Sequence, residues 1–432
     1  MNGPLARPHV VVVGAGLAGL TAASLLGRAG LRVTVCERAG TLGGRAATHA
    51  RGDYRLNLGP HALYLGGAAA RELTALGVAI AGGAPPSGWA LRGGRLHTLP
   101  TGAVSLLSTG LLSFAAKRRG AGLLARLQRL DVAALAGVAL GRWLDERAPE
   151  PDLRAFLAAS FRVATYCAEL DDMSAGAALA QLRSAIDRGV RYLDGGWQTL
   201  VDGLVGTARA AHVTLASHAP VTAIGDIDAG GVRAVTLGDG RTLLADALVI
   251  AAAPSVAAAL VPASASLRLA AAVVRPVRAA CLDLALASLP RPRARFALGI
   301  DRPLYFSVHS GAAALAPGAG AVVHAARYLD GDDHADAERE LEALCDRLQP
   351  GWRERVVARR FLPRLTVAHD LPRADRGGLA GRAPVAVADT PALFVAGDWV
   401  GNEGLLADAA VASATVAARA IVASLGARRA AA

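Results

Sequence analysis

The chain is poor in cysteine, in aromatics and above all in lysine. Its 432 residues hold four cysteines, Cys36, Cys167, Cys281 and Cys345, far apart and with no C-x-x-C pair. That argues against a disulfide scaffold or a cysteine zinc site and suits a reducing compartment. Aromatic residues make up 4% of the chain. Of its 46 basic residues one, Lys117, is a lysine and the other 45 are arginines. No internal repeat or low-complexity linker interrupts the sequence. Apolar residues reach 53%, which excludes a disordered chain. The length allows two or three domains at roughly one per 150 residues. Against 35 acidic residues the formal charge is +11. An arginine bias of this kind follows from a GC-rich genome, so no nucleic-acid partner is inferred from it.

Two uncharged windows bear on targeting. Pro8 to Gly27 carries no charged side chain, but a signal peptide would need a basic start and a small-residue cleavage site. Gly14, Gly16 and Gly19 instead stand in fixed spacing before another β-like segment, as in a folded nucleotide-binding unit. Ala247 to Leu267 is long enough to cross a bilayer, yet it contains Pro254 and Pro262. A buried strand over Ala247–Ala251 followed by a helix accounts for it better. The expectation is no transmembrane helix and a cytoplasmic location.

His9–Val13, Leu17–Ala29 and Arg32–Cys36 read as strand, helix and strand, one βαβ unit. Asp53–Leu58 reads as a further strand. Helices are expected over Leu106–Leu130, Val132–Arg147, Leu153–Tyr166, Ala175–Ile186 and Gln198–Ala211. Strands resume at Val213–Leu215, Val221–Gly225, Val232–Leu237 and Ala247–Ala251, with Gly238-Asp239-Gly240 as a hairpin turn. A mixed region follows, with strand-like Ala279–Leu286, Leu304–His309 and Ala321–Ala326 and a charged helix at Ala335–Leu348. The tail is strand Leu393–Ala396 and a long helix, Leu405–Ser424.

Gly14-Ala15-Gly16-Leu17-Ala18-Gly19 is a G-x-G-x-x-G turn between strand and helix. Gly14 permits the tight turn, Gly16 lets the backbone approach a pyrophosphate, and Gly19 lets the helix pack closely on the strand. The helix N-terminus faces the anion. Glu37 follows at the end of the second strand, where a carboxylate accepts ribose hydroxyls. This predicts dinucleotide binding, disfavours a ribose 2′-phosphate, and leaves NAD and FAD open.

Further elements follow in order: Glu37-Arg38, Gly43-Gly44-Arg45, Gly59-Pro60-His61, Gly195-Gly196-Trp197 before a helix, Val221 with its hairpin, and Gly397-Asp398 with Gly404-Leu405-Leu406 opening a helix. In that collinear set the sequence resembles the superfamily of FAD-dependent amine oxidases, protoporphyrinogen oxidases and phytoene-type desaturases. The resemblance implies an α/β fold, a discontinuous Rossmann-type FAD-binding domain interleaved with an α+β substrate domain of mixed sheet and helical cap. The FAD-binding pieces are expected at 1–90, 191–255 and 381–432, the helical part of the substrate domain at 91–190 and its sheet part at 256–380. It also implies that Glu37 holds the adenosine ribose, that Arg45 and the Gly43-Gly44 backbone hold the pyrophosphate, and that Val221 meets adenine. Asp398 would bind the ribityl or pyrophosphate region, and Leu405-Leu406 would present backbone N–H groups to the ring. A helix N-terminus there carries about half a positive charge and favours negative charge developing on the ring. Gly59-Pro60-His61 would run beneath the ring, with His61 positioning substrate, shuttling a proton near pH 7 or serving as a structural histidine. Trp197 and Trp399 would wall the flavin or substrate, or simply pack.

Many amine oxidases carry a lysine that bonds through water to the flavin N5, and an aromatic pair around the substrate nitrogen. Here Lys117 sits in a basic segment far from the flavin motifs, and Leu405 and Leu406 stand where a cage aromatic is expected. These departures favour a desaturase or dehydrogenase acting on an apolar small molecule. An oxidase of amines or of a porphyrinogen, using O2, is the second reading. A non-catalytic binding protein like the GDP-dissociation inhibitors is the third, weakened by the intact Glu37, Arg45 and Asp398. His61, Glu403 and Asp408 are candidate proton acceptors. No cysteine lies in the C-terminal flavin region, so non-covalent FAD is expected, reoxidised by O2, a quinone or another carrier. Residues 106–130 mix leucines with Lys117, Arg118, Arg119, Arg126 and Arg129. They read as a basic amphipathic helix that either lies peripherally on an anionic membrane or presents a solvated face.

Overall fold

Five parallel strands underlie the nucleotide motifs, in the order Thr214–Ala216, Arg32–Cys36, His9–Val13, Ala247–Ile250, Leu393–Val395. The computed structural model describes residues 7–228, 231–331 and 335–431, the last four by backbone alone. Residues 1–6, 229–230, 332–334 and 432 of the expected domain pieces lie outside the described residues. Val10, Val11 and Val12 are fully buried because both faces of the sheet are covered, which is why this strand is an unbroken apolar run. Helices Leu17–Arg28, Gln198–Ala210 and Leu406–Ala431 pack on one face. The antiparallel strands Val221–Ile227, Arg233–Leu237 and Thr242–Ala245 and the helices Pro254–Leu260 and Ala265–Val273 cover the other. A Cβ on Gly19 would stand 1.9 Å from the Gly14 carbonyl oxygen, so only glycine lets the first helix sit this close to its strand.

The uncharged window from Ala247 is the strand Ala247–Ile250 followed by the short helix Pro254–Leu260. Among the described residues one helix, Leu406–Ala427, is long and apolar enough to cross a membrane, with mean hydropathy 1.6. It lies against the Leu17–Arg28 and Ala68–Ala75 helices, and Val411, Ala414, Ala417 and Ile421 are buried in the core.

A seven-stranded sheet forms the other half, in the order Val356–Ala368, Val277–Leu286, Ala321–Tyr328, Leu304–Val308, Phe296–Gly299, Trp89–Arg92, Arg95–Thr98. Its 13-residue edge strand, Val356–Ala368, was not anticipated, because three arginines and Pro363 mask its alternation. Pro363 has no N–H to give a second neighbour, which confines it to an edge. The register skips between the Ala279–Leu365 and Cys281–Leu362 pairs that bracket it.

Two expected helices are corrected. Leu106–Leu130 is not continuous: Ala103–Ser108 and Phe114–Arg126 are separate helices, followed by a 3-10 turn at Leu127–Arg129. The break comes where adjacent Leu111 and Leu112 both turn into the core and Ser113 restarts the chain by capping Ala116 N–H at 3.3 Å. Within Val132–Arg147 only Leu140–Arg147 is helical. Asp131 Oδ1 accepts from the Ala133 and Ala134 N–H groups at 3.0 and 3.2 Å and holds a turn instead.

Candidate functional site

The carboxyl ends of the parallel strands open into one cavity of about 600 Å³, the place where open α/β sheets bind ligands. It is lined by Gly14, Gly16, Leu17, Ala18, Glu37, Arg38, Gly43, Gly44, Arg45, Pro60, His61, Val221, Gly397, Asp398, Leu405 and Leu406. Tertiary structure thus gathers these sixteen sequence-predicted positions around a single space. Gly19, Gly59 and Gly404 stand behind its wall. Gly19 sets the helix against the strand, Gly59 N–H donates to Asp283 Oδ2 at 3.2 Å, and the Gly404 carbonyl accepts from Arg382 at 2.8 Å.

At the nucleotide end, Gly14 adopts φ +98° and donates its N–H to the Cys36 carbonyl at 2.8 Å. Glu37 Oε2 accepts from Ala15 N–H at 2.8 Å and Oε1 from Ala39 N–H at 2.9 Å. These bonds fix the carboxylate while leaving each oxygen a lone pair for a hydroxyl. Gly43 N–H donates to the Ala15 carbonyl at 2.8 Å, which clamps the Gly43-Gly44-Arg45 turn onto the glycine loop.

In the middle of the cavity the structure shows a cluster that the sequence did not. Arg45 Nη1 donates to Asp398 Oδ2 at 2.7 Å and to the Val367 carbonyl at 2.8 Å. The His369 ring nitrogen Nδ1 lies 2.9 Å from Asp398 Oδ1 and His369 N–H donates to Oδ2 at 3.2 Å. Burial opposes the charge on Asp398, but Arg45 and His369 outweigh it and hold the carboxyl well below its ordinary range. Asp398 therefore orients Arg45 and His369 as well as facing the cavity. His369 directly follows the unanticipated edge strand, so nothing in the local pattern marked it.

The far end is walled by His61, Tyr64, Tyr166, Trp197, Cys281, Leu365, Leu405 and Asp408. His61 meets Trp197 edge-on at 4.8 Å, and its Nδ1 donates to the Gly59 carbonyl at 3.1 Å. Burial pulls its pKa down to about 4. That shift favours a neutral ring at pH 7 with Nε2 as an acceptor. Of the other proton-acceptor candidates, Glu403 is half exposed and pairs with Arg71 at 3.0 Å, outside the cavity lining. Asp408 is buried, lines the cavity and accepts from Ala69 N–H through Oδ1 at 2.8 Å. Burial pushes its carboxyl up to about 6. Tyr166 and Leu406 hold φ of +59° and +55°, a conformation that non-glycine side chains seldom adopt and that recurs at functional sites.

Residues 17–279 match the family model described as flavin containing amine oxidoreductase, more than half of the chain. The chain belongs to that family. An L-amino acid oxidase of Crotalus durissus cumanensis is 54% identical over 52 residues, 12% of this chain and 10% of the relative. A phytoene dehydrogenase of Streptomyces griseus is 54% identical over 63 residues, 15% of this chain and 12% of the relative. The chain thus aligns with only about a tenth of the length of these curated relatives. An oxidoreductase of Methanosarcina mazei shares the fold over nearly the whole length, with a TM-score of 0.75 at 20% identity, covering 94% of this chain and 99% of that one.

The cavity fits the family's flavin. At the nucleotide end Gly14, Gly16, Gly43 and Gly44 line it with bare backbone, which lets a pyrophosphate approach closely. At the start of the Leu406–Ala431 helix Asp408 and Ala409 donate to the Leu405 carbonyl, and the N–H groups of Leu406 and Ala407, ahead of the first intrahelical bond, belong to residues that line the same space. Glu37 would hold the ribose, the Gly14–Ala18 and Gly43–Gly44 backbone the pyrophosphate, and His61, Trp197 and Leu405-Leu406 the ring. Trp399 is fully buried, with Nε1 donating to the Ala252 carbonyl at 3.0 Å, and is core rather than wall.

Proposed function

We propose that this flavin amine oxidoreductase relative is a dehydrogenase or desaturase that removes a hydride from a C–H bond of an apolar, isoprenoid-like small molecule. The observation that carries this is the composition of the far end of the cavity. Tyr64, Tyr166, Cys281 and Leu365 give it apolar walls, and Asp408 is its one carboxylate among the described residues. Bound FAD supplies the hydride acceptor. Asp408, ionised above about pH 6, takes the proton from the neighbouring carbon through the oxygen not held by Ala69. His61, neutral and pinned to Gly59, orients without exchanging protons. The Arg45–Asp398–His369 cluster fixes the cavity floor across two distant chain segments. Lys117 lies outside the cavity and donates to the Leu107 carbonyl at 2.8 Å, so it is not placed for amine-oxidase chemistry. Cys36 and Cys281 do line the cavity. Burial pushes both thiols up, Cys36 to about 11, which disfavours the thiolate needed for a covalent flavin link and supports non-covalent FAD. The carrier that reoxidises the flavin, O2, a quinone or another, is not specified by the cavity, and a cytoplasmic location is part of the same proposal.

The purified protein should be yellow and release FAD on denaturation. Under anaerobic conditions acyclic isoprenoid hydrocarbons should bleach the flavin absorbance, and Asp408→Asn should slow that bleaching by about 100-fold or more. A second reading, amine oxidation, draws on Tyr64 and Tyr166, two rings that stand ready to frame a substrate. Bleaching by simple amines, with peroxide formed when air is admitted, would establish it instead.

A further inference from the structure

Large apolar side chains seldom stand in water, and four of the most exposed fall in one short stretch. Val104 is 82% exposed, Leu107 75%, Phe114 83% and Leu124 53%. The Ala103–Ser108 helix buries none of its residues. Lys117, on the Phe114–Arg126 helix, donates to the Leu107 carbonyl and so ties the two helices together. Along Phe114–Arg126, positions 114, 118, 121 and 125 share one helical face, and Phe114, Arg118, Ala121 and Ala125 are all exposed. Ala116, on the opposite side, is buried.

The segment itself carries charge of one sign, although the fold sets Asp152 against the Ser113 N–H at 2.5 Å, at the start of the second helix. No aspartate or glutamate occurs between Glu72 and Asp131. Arg119 is neutralised by Glu150 at 2.7 Å. Arg118, Arg126 and Arg129 make no ion pair among the described residues. An apolar patch ringed by unopposed cations matches the boundary between acyl chains and anionic headgroups. A nucleic acid would meet the arginines but leave Val104, Leu107 and Phe114 against phosphate and water.

We propose that residues 103–129 attach the protein peripherally to an anionic lipid bilayer. Val104, Leu107, Phe114 and Leu124 enter the acyl boundary, and Arg118, Arg126 and Arg129 meet lipid phosphates. Leu106, Leu112, Ala116 and Leu123 lie beneath this face, in one apolar cluster with Tyr166, Cys281 and Leu365, three residues that wall the cavity. The attached face is thus the outer side of the cap whose inner side closes the apolar end of the site. The attachment does not depend on the reaction assigned above.

The test is co-sedimentation of the full FAD-loaded protein with phosphatidylcholine vesicles, with and without phosphatidylserine, in the absence of substrate. Binding should require phosphatidylserine and weaken as salt rises. Arg118→Glu with Arg126→Glu should lower the affinity at least about tenfold, and Leu107→Ser with Phe114→Ser by a similar factor. These side chains are exposed, so FAD content and melting temperature should stay at wild-type values. Absence of wild-type binding to phosphatidylserine vesicles overturns the proposal. So does equal binding to neutral vesicles, affinity unchanged in both double variants, or retention by single- or double-stranded DNA at salt that abolishes vesicle binding.

Discussion

Arg45 Nη1 stands 2.7 Å from Asp398 Oδ2, across 353 positions of sequence. The pair joins the turn after the second strand to the turn after the last one, and His369 completes it from the end of the edge strand. Asp398 is buried while the Arg45 side chain is 38% exposed, so the carboxylate depends more on the guanidinium than the reverse.

Removing either partner should therefore loosen the cavity floor unequally. Arg45→Ala leaves a buried carboxylate with His369 alone and should cost about 2 kcal/mol or more of stability. Asp398→Asn leaves Arg45 its exposure to water and the Val367 carbonyl, and should cost less. Both should lower the FAD content, read as the ratio of flavin to protein absorbance. Full occupancy in both variants would mean that the cluster does not support the cofactor.

Glu37 offers a sharper test of the nucleotide end. Glu37→Gln keeps one oxygen acceptor but loses the charge and the other acceptor, so either the Ala15 or the Ala39 N–H loses its partner. FAD content should fall, with rapid loss of flavin on gel filtration, while the melting temperature of the flavin-free protein should shift by only a few degrees. A large drop in flavin-free stability would show that Glu37 serves the fold rather than the ligand.

Asp408 and His61 should give the flavin-free protein opposing pH dependences. The folded carboxyl of Asp408 titrates near 6 against an ordinary 3.8. Between those values the folded state holds the proton that the unfolded chain has released, so stability falls as pH rises through the window. Asp408→Asn should be more stable than wild type at about pH 8, by up to about 3 kcal/mol, and similar at about pH 4. His61 titrates near 4 against an ordinary 6.5. Its contribution is complete above 6.5 and is lost as pH falls toward 4, so His61→Gln should gain on wild type through that range. Urea titrations across the two windows decide both signs.

Gly19→Ala should fail in proportion to its geometry. The added Cβ would lie 1.9 Å from the Gly14 carbonyl oxygen and 3.2 Å from the Ala251 side chain. Relief requires the helix to leave the strand, at a cost of about 3 kcal/mol or more. Poor soluble yield, or a melting temperature lowered by several degrees, is the expected reading.

Most of the α/β frame was legible because its cues are local. A valine run, three glycines and a carboxylate at a strand end each specify a backbone shape or a hydrogen bond within a few residues. The edge strand Val356–Ala368 escaped because edge positions tolerate proline and charge, which removes the alternation that marks a half-buried strand. The basic helix expected over 106–130 broke in two because the direction in which Leu111 and Leu112 turn is set by the core they meet, not by helical spacing.

The sequence by itself thus determined where a dinucleotide loop forms, which acid follows it, and that a single lysine was available to the whole chain. Tertiary structure decided which charged groups meet. Arg45 met Asp398 and His369, burial disfavoured charge on the His61 imidazole, and Asp408, one of three candidate acceptors, came to line the cavity. The physical reason is the range of the forces involved. Backbone geometry is dictated by near neighbours, whereas desolvation and ion pairing depend on what the fold brings from hundreds of residues away.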